Sequence, residues 1–180
     1  MNKNIESPAR LAQHASPYLI PFEQPLVSAV FLERRKRFLV RVKQGSDTFW
    51  IHTNNSGSMM GLLRKGRPVL MSHSSNPKRK YAYTLEAIKI DTHWCGVNTM
   101  IPNRLLRPLF LHGRLPLPEG YSDVATEVRT GKSRLDGLLT GPGLPKWWLE
   151  AKNVSLVEEE VAYFPDAITA RGARHMDDPG

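Results

Sequence analysis

Asp136, Glu150 and Lys152 are the residues whose types and spacing point most directly to chemistry. They lie in the stretch Ser133–Lys152, where Ser133–Thr140 and Lys146–Lys152 read as strands around a Gly141-Pro142-Gly143 turn. Alternate strand residues share a face. Trp148, Glu150 and Lys152 are therefore expected on one side, and Trp147, Leu149 and Ala151 on an apolar, core-facing side. Pairing the two strands brings Asp136 toward Glu150. Adjacent carboxylates repel unless something positive lies between them, and Lys152 or a divalent cation would meet that need. Asp, then Glu-x-Lys on the next strand, suits metal-dependent phosphodiester hydrolysis. In that chemistry Asp136 and Glu150 hold Mg²⁺, while the lysine orients the attacking water and offsets phosphate charge. A plain Glu150–Lys152 ion pair on a half-exposed strand uses the same residues, and it stands beside the catalytic reading.

A second constellation is basic and interleaved with aromatics. Arg34-Arg35-Lys36-Arg37-Phe38 is placed at a hairpin tip, and Asn76-Pro77-Lys78-Arg79-Lys80-Tyr81 between the fourth and fifth expected strands. Four consecutive cations repel one another and are expected to gain nothing by burial, so both loops read as phosphate contacts. Phe49, Trp50, Tyr81 and Tyr83 offer faces for stacked bases, although strand alternation assigns two of them to a core. The charge is segregated in the same sense. Net charge is +8, and residues 1–100 hold 15 Lys and Arg against 6 Asp and Glu, whereas residues 101–180 hold 10 against 11. A polyanion is drawn to the first half. A nucleic acid is the expected partner, RNA and single strands included.

The elements that must position these residues follow from the pattern. Residues 1–25, with Pro8, Pro17, Pro21 and Pro25, read as a flexible arm with a short helix at Ala9–Ala15. Strands are expected at Val27–Leu32, Phe38–Val42, Thr48–His52, Pro68–Ser72 and Tyr81–Ile90, with a helical turn at Ser58–Leu63. Five strands with a small helix between the third and fourth make an OB-like barrel over residues 26–92. Asp91–Gly96 reads as a joint. A helix capped by Asn98 or Thr99 and running to Phe110 follows, then a strand at Tyr121–Arg129 and the Ser133–Lys152 hairpin. Phe164-Pro165-Asp166-Ala167 is expected to open a last helix carrying Arg171, Arg174 and His175.

Several classes are excluded. No run of about 18 apolar residues is present, the first residues lack a signal-peptide core, and one cysteine, Cys95, forms no internal disulfide. These features fit a cytoplasmic protein. The six histidines show no metal-ligand spacing, and no Walker or dinucleotide motif occurs.

The phrases Lys36-Arg37-Phe38-Leu39, Gly57-Ser58-Met59, Asn76–Lys80, Gly96-Val97-Asn98-Thr99, Ser133-Arg134-Leu135-Asp136, Glu150-Ala151-Lys152-Asn153-Val154 and Phe164–Ala167, with Arg171-Gly172 and His175, span most of the chain. Together they resemble the sugar fermentation stimulation protein A family of prokaryotes. The resemblance implies an OB-like N-terminal domain and a PD-(D/E)xK nuclease-like, restriction-endonuclease-like α/β domain, here residues 93–180 and C-terminally incomplete against the family. It implies DNA binding, and it matches Glu127, Asp136, Glu150 and Lys152 to the acidic positions and lysine of the nuclease-like site. Arg134 is expected either near a phosphate or as an ion-pair partner of a carboxylate. His52-Thr53-Asn54-Asn55-Ser56-Gly57 departs from the family's His-Cys-Pro-Asn-Thr-Gly, so no thiol chemistry is expected of that loop.

Overall fold

The computed structural model describes residues 21–131, 133–158 and 161–163. The expected last helix with Arg171, Arg174 and His175, and most of the N-terminal arm, lie outside the described residues.

The first half closes into a barrel. β1 (Val27–Arg35), β2 (Leu39–Gln44) and β3 (Asp47–His52) form an antiparallel meander. β4 (Pro68–His73) pairs with β1 and with β5 (Tyr83–Ile90). A parallel pair, His52 with Thr84, then joins β3 to β5. The circuit β1-β2-β3-β5-β4 is the closed five-stranded order of an OB-like barrel. Alternation explains the interior: Val40, Val42, Ile51, Val69, Met71, Leu85 and Ile88 are fully buried. Each such side chain contributes about 1.5–3 kcal/mol by leaving water.

Two expectations change here. Ser58–Leu63 forms a turn, not a helix, because Met59 and Gly61 take positive φ (49° and 75°), a conformation that breaks a right-handed helix. Met59 and Leu62 still plug the barrel, at 1% and 2% exposure. Asp91–Gly96 is a strand hairpin, not a joint: Asp91 turns at φ 49° and β6 (His93–Gly96) pairs with β5.

α1 (Ile101–Leu111) follows. Its N-cap is Met100, without a side-chain cap. Neither Asn98 nor Thr99, the two expected caps, holds that position; Asn98 Oδ1 accepts the Met100 N–H at 3.0 Å. Pro102 suits the first turn. Arg107 ties the helix to the next sheet by donating to Val124 O at 3.0 Å.

That sheet consists of β7 (Asp123–Thr130), β8 (Ser133–Thr140) and β9 (Trp147–Leu149), in the order β7-β8-β9 and antiparallel. β10 (Leu156–Glu158) and β11 (Val161–Tyr163) form a separate two-stranded ribbon. The expected face assignment of the hairpin fails at Trp147, which is 40% exposed and meets Tyr121 edge-on at 5.6 Å. The strand stops at Leu149, so strict alternation does not carry on to Lys152. Among the described residues the core is uneven: the barrel cluster holds twelve of the buried apolar residues, while Leu106, Val124 and Leu139 lie beyond it.

Candidate functional site

The hairpin brings Asp136 and Glu150 together. β8 and β9 pair through Gly137 and Leu149, the last rung of the ladder, so Asp136 stands beside the chain just past the strand end. There the Ala151 N–H donates to Asp136 Oδ2 at 2.8 Å. Gly137 makes this closeness possible, since a Cβ at that position would meet Leu149 Cβ and Cδ1, both at 3.3 Å. Lys152 Nζ pairs with Glu150 Oε1. The ion pair expected as the plain alternative is therefore present, and it lies against Asp136.

Glu127 reaches the same place by a backbone distortion. The β7–β8 pairs run to Thr126 with Gly137 and resume at Val128 with Leu135. Between them Glu127 takes φ +58°, uncommon for a residue with a Cβ. Its carboxylate binds Arg134 Nη2 at 2.6 Å, while Arg134 Nε donates to the Glu127 carbonyl at 3.3 Å. Of the two roles expected for Arg134, the ion pair is the one observed.

Asn103 on α1 is the member of the cluster that the sequence did not reveal. Its amide donates to Asp136 Oδ1 at 2.6 Å and to Glu127 Oε1 at 3.2 Å. Burial, the largest influence, raises the Asp136 carboxyl above the usual aspartate range, and Glu150 adds to the rise. The Ala151 N–H, the Asn103 amide and Lys152 pull the other way.

The second candidate surface is one end of the barrel. The two basic loops, from opposite sides of the barrel seam, meet at His52. Phe38, in the β1–β2 turn, stacks on the His52 ring with centroids 6.4 Å apart and planes at 6°. Arg79, in the β4–β5 loop, donates to Thr84 Oγ1 at 3.1 Å, and Thr84 is His52's partner in the parallel pair. The His52 imidazole is held below its ordinary range, first by burial and then by the Arg79 charge. Its Nδ1 is buried and finds no hydrogen-bond partner among the described residues.

The cations of this end divide into two groups. Lys36, Arg37, Lys78 and Lys80 are exposed, with Lys80 lying 5.7 Å over the Tyr81 ring. Arg35 is held by Glu33 at 3.1 Å and lies 5.3 Å over Trp50. Arg34 corrects the expectation that this run gains nothing by burial. Its guanidinium donates to Arg37 O at 2.6 and 2.8 Å, to Asn55 O at 2.6 Å and to Gly57 O at 2.8 Å. It is fastened into the barrel loops, and its pKa is lowered by burial and by Arg37. Phe49 and Tyr83 contact each other at 5.6 Å and pack on the core, as alternation requires of two of the four aromatics.

Comparison with known proteins agrees with this two-part architecture. Residues 32–97 match the SfsA N-terminal OB domain, and residues 100–178 match the sugar fermentation stimulation protein RE domain. A sugar fermentation stimulation protein homolog of Syntrophobacter fumaroxidans is 52% identical over 161 residues, covering 89% of this chain and 61% of the relative. The homolog of Maridesulfovibrio salexigens is 46% identical, covering 88% and 67%. That of Lawsonia intracellularis is 40% identical, covering 88% and 70%. The solved structure of Pyrococcus furiosus SfsA in complex with Ca²⁺ superposes with a TM-score of 0.76 at 26% identity, over 86% of this chain and 65% of that one. The chain thus spans about two thirds of the length of these relatives. Matched across both halves, it belongs to the sugar fermentation stimulation protein family.

Proposed function

We propose that this protein binds DNA without reading its sequence, at the barrel end where the β1–β2 turn and the β4–β5 loop converge. The observation that carries this reading is the meeting of both loops at His52, Phe38 from one side and Arg79 from the other. It places Lys36, Arg37, Lys78 and Lys80 around one end of the barrel, where cations can engage successive phosphates. Binding that releases counterions weakens with salt by a slope of about 0.9 per phosphate neutralised. Replacing Lys36, Arg37 and Lys78 together by glutamine is expected to flatten the plot of log K against log salt by roughly two to three of those increments. An unchanged slope would remove both loops from the interface.

A second reading, metal-dependent phosphodiester hydrolysis, is favoured by the convergence of Asp136, Glu150 and Lys152. The donor set suits a hard divalent cation. Asp136 accepts one hydrogen bond on each oxygen, which leaves each oxygen a lone pair for a cation. Among the described residues no three His, Cys, Asp or Glu side chains gather into an all-protein cage. Mg²⁺ is commonly bound by one or two carboxylates completed by waters and substrate phosphate. The Pyrococcus furiosus relative was solved with Ca²⁺, another oxygen-seeking cation. When bound, such a cation supplies Lewis acidity toward a phosphoryl oxygen. Asn103 and the Ala151 N–H fix the orientation of Asp136. Lys152, held by Glu150, is the cation of the protein available to offset phosphate charge and orient a water.

The decisive measurement is calorimetric Mn²⁺ titration beside a plasmid-nicking assay, on the wild type, Asp136→Asn and Lys152→Ala. Asp136→Asn is expected to lose cation affinity and any nicking while retaining metal-free DNA binding. Lys152→Ala is expected to keep cation binding and lose nicking. Three identical titrations would leave a DNA-binding protein without a metal site at these residues.

A further inference from the structure

Between the barrel and α1 lies an open cleft of about 740 Å³. Its floor is a buried polar network that neither the barrel-end surface nor the carboxylate site uses. Glu86, only 5% exposed, accepts from Ser72 Oγ at 2.6 Å and from Asn98 Nδ2 at 2.8 Å. Asn98 Oδ1 in turn accepts from Asn54 Nδ2 at 2.9 Å. Each Glu86 oxygen keeps a lone pair. Asn54 Oδ1 receives no hydrogen bond from the described residues, and Asn54 lines the cleft. A buried carboxylate held by an amide and a hydroxyl rather than by a cation is costly, and Glu86 lines the cleft with acceptor capacity to spare.

The walls supply what such a ligand would need besides acceptors. Ile101 and Leu105 of α1, with Phe22 at 40% exposure, make an apolar side. Arg79 and Arg104 bring two guanidiniums from different elements to the same cleft. Arg79 is pinned by its bond to Thr84. Arg104 is exposed, and its side chain has no partner among the described residues. Acceptors on the floor, an apolar side and two guanidinium forks match one chemical unit.

We infer that this cleft binds a single nucleotide, its phosphate between Arg79 and Arg104 and the N–H-bearing edge of its base on Asn54 and Glu86. Bidentate guanidinium–phosphate bonds hold the charge, and base edges read by buried acceptors beside an apolar face are the pattern used for unstacked bases. The nucleotide comes either free or as an unpaired member of a strand. A base still in a duplex hides its pairing edge. The cleft therefore discriminates where the barrel end does not, and it stands even if duplex binding there fails.

The test is fluorescence anisotropy on the whole chain in chelator, with a short single strand and its duplex as probes and a nucleoside monophosphate as competitor. Arg104→Ala is expected to weaken the single strand about tenfold, with Arg104→Lys intermediate because a point charge cannot replace the fork. Duplex affinity should stay within about twofold. The monophosphate should displace the single strand from wild type, and the unphosphorylated nucleoside should do so poorly. Monophosphate affinity by calorimetry that Arg104→Ala removes, with neither strand probe displaced nor weakened, assigns the site to free nucleotides. Equal weakening of both probes, or an Arg104→Ala variant that changes neither the probes nor monophosphate binding, overturns the inference. A wild type that binds monophosphate and single strand but no duplex upholds the cleft and removes the barrel-end reading instead.

Discussion

Asn103 donates to Asp136 Oδ1 at 2.6 Å, so the helix that leaves the barrel sets the position of a carboxylate in the second sheet. The same amide touches Glu127 at 3.2 Å. Loss of an outer partner of a ligating carboxylate commonly costs about 10–100-fold in metal affinity. Asn103→Ala is expected to weaken Mn²⁺ binding toward the low end of that range while leaving DNA affinity unchanged. Asn103→Asp would add a carboxylate against Asp136 and Glu127, and should unfold more readily at neutral pH than near pH 4. Equal stability of that variant at both pH values would show that the amide is not in contact with the acids in solution.

Arg34 is expected to matter for folding more than for binding. Removing its guanidinium leaves the part-buried carbonyls of Asn55 and Gly57 without this donor, and a buried acceptor left unsatisfied costs about 1–3 kcal/mol. Arg34→Lys cannot rebuild the fork, so it should lower urea stability by at least about 1 kcal/mol. The salt slope of DNA binding should be the same as wild type. A variant of normal stability with a flattened slope would move Arg34 from the scaffold to the interface.

His52 gives the barrel a pH dependence whose sign follows from its environment. In the folded chain its pKa lies below the ordinary value, so the unfolded chain takes up this proton first as pH falls. The stability it contributes is therefore full above about pH 6.5 and is lost as pH drops through the folded-state value. Arg79→Gln removes one of the two causes and should raise the His52 pKa seen by NMR titration. No movement would separate the β4–β5 loop from the barrel end.

Gly137→Ala is expected to strike the site through the sheet. The new Cβ must push Leu149 by a few tenths of an ångström, and its nearest contact there is a Cβ fixed to the strand. Overpacking of this kind costs roughly 1–3 kcal/mol. β9 would move away from β8, carrying Glu150 and Lys152 with it. Thermal unfolding and Mn²⁺ affinity should fall together; a fall in neither would mean that the strand end accommodates the methyl group freely.

Amide exchange should separate the halves. With three buried apolar residues outside the barrel cluster among those described, β7–β9 are expected to exchange at lower denaturant than β2 and β5. Uniform protection in both would place more of the core in the second half than these contacts provide.

Much of the fold was legible because alternation is a local signal. Val40 and Val42, or Val69 and Met71, mark one face of a strand wherever the strand finally pairs. The carboxylate site was legible for the same reason, since a short hairpin fixes Asp136 against Glu150 with little help from the rest of the chain. What escaped depended on distant partners. Asn103 is an ordinary polar residue of an amphipathic helix until β8 comes beside it. Arg34 is one of four neighbouring cations, and only the loop at Asn55–Gly57 distinguishes the one that turns inward. Trp147 keeps the pattern of a core residue, yet it is 40% exposed, with Tyr121 edge-on to its ring. β6 was missed because four residues beginning His93-Trp94 carry little pattern; the Asp91-Thr92 turn after Ile90 was the available clue.

The barrel is joined between β3 and β5 by one residue pair, His52 with Thr84. Every other junction is a ladder of several rungs. The hoop therefore has a clasp, and the clasp lies between the two loops that carry the exposed cations. On the proposed reading, a rigid polyanion long enough to engage both loops would straddle that opening and hold it shut from outside. Ligand and barrel would then brace each other, and the proposed phosphate-binding surface would be the one that gains most rigidity from being bound.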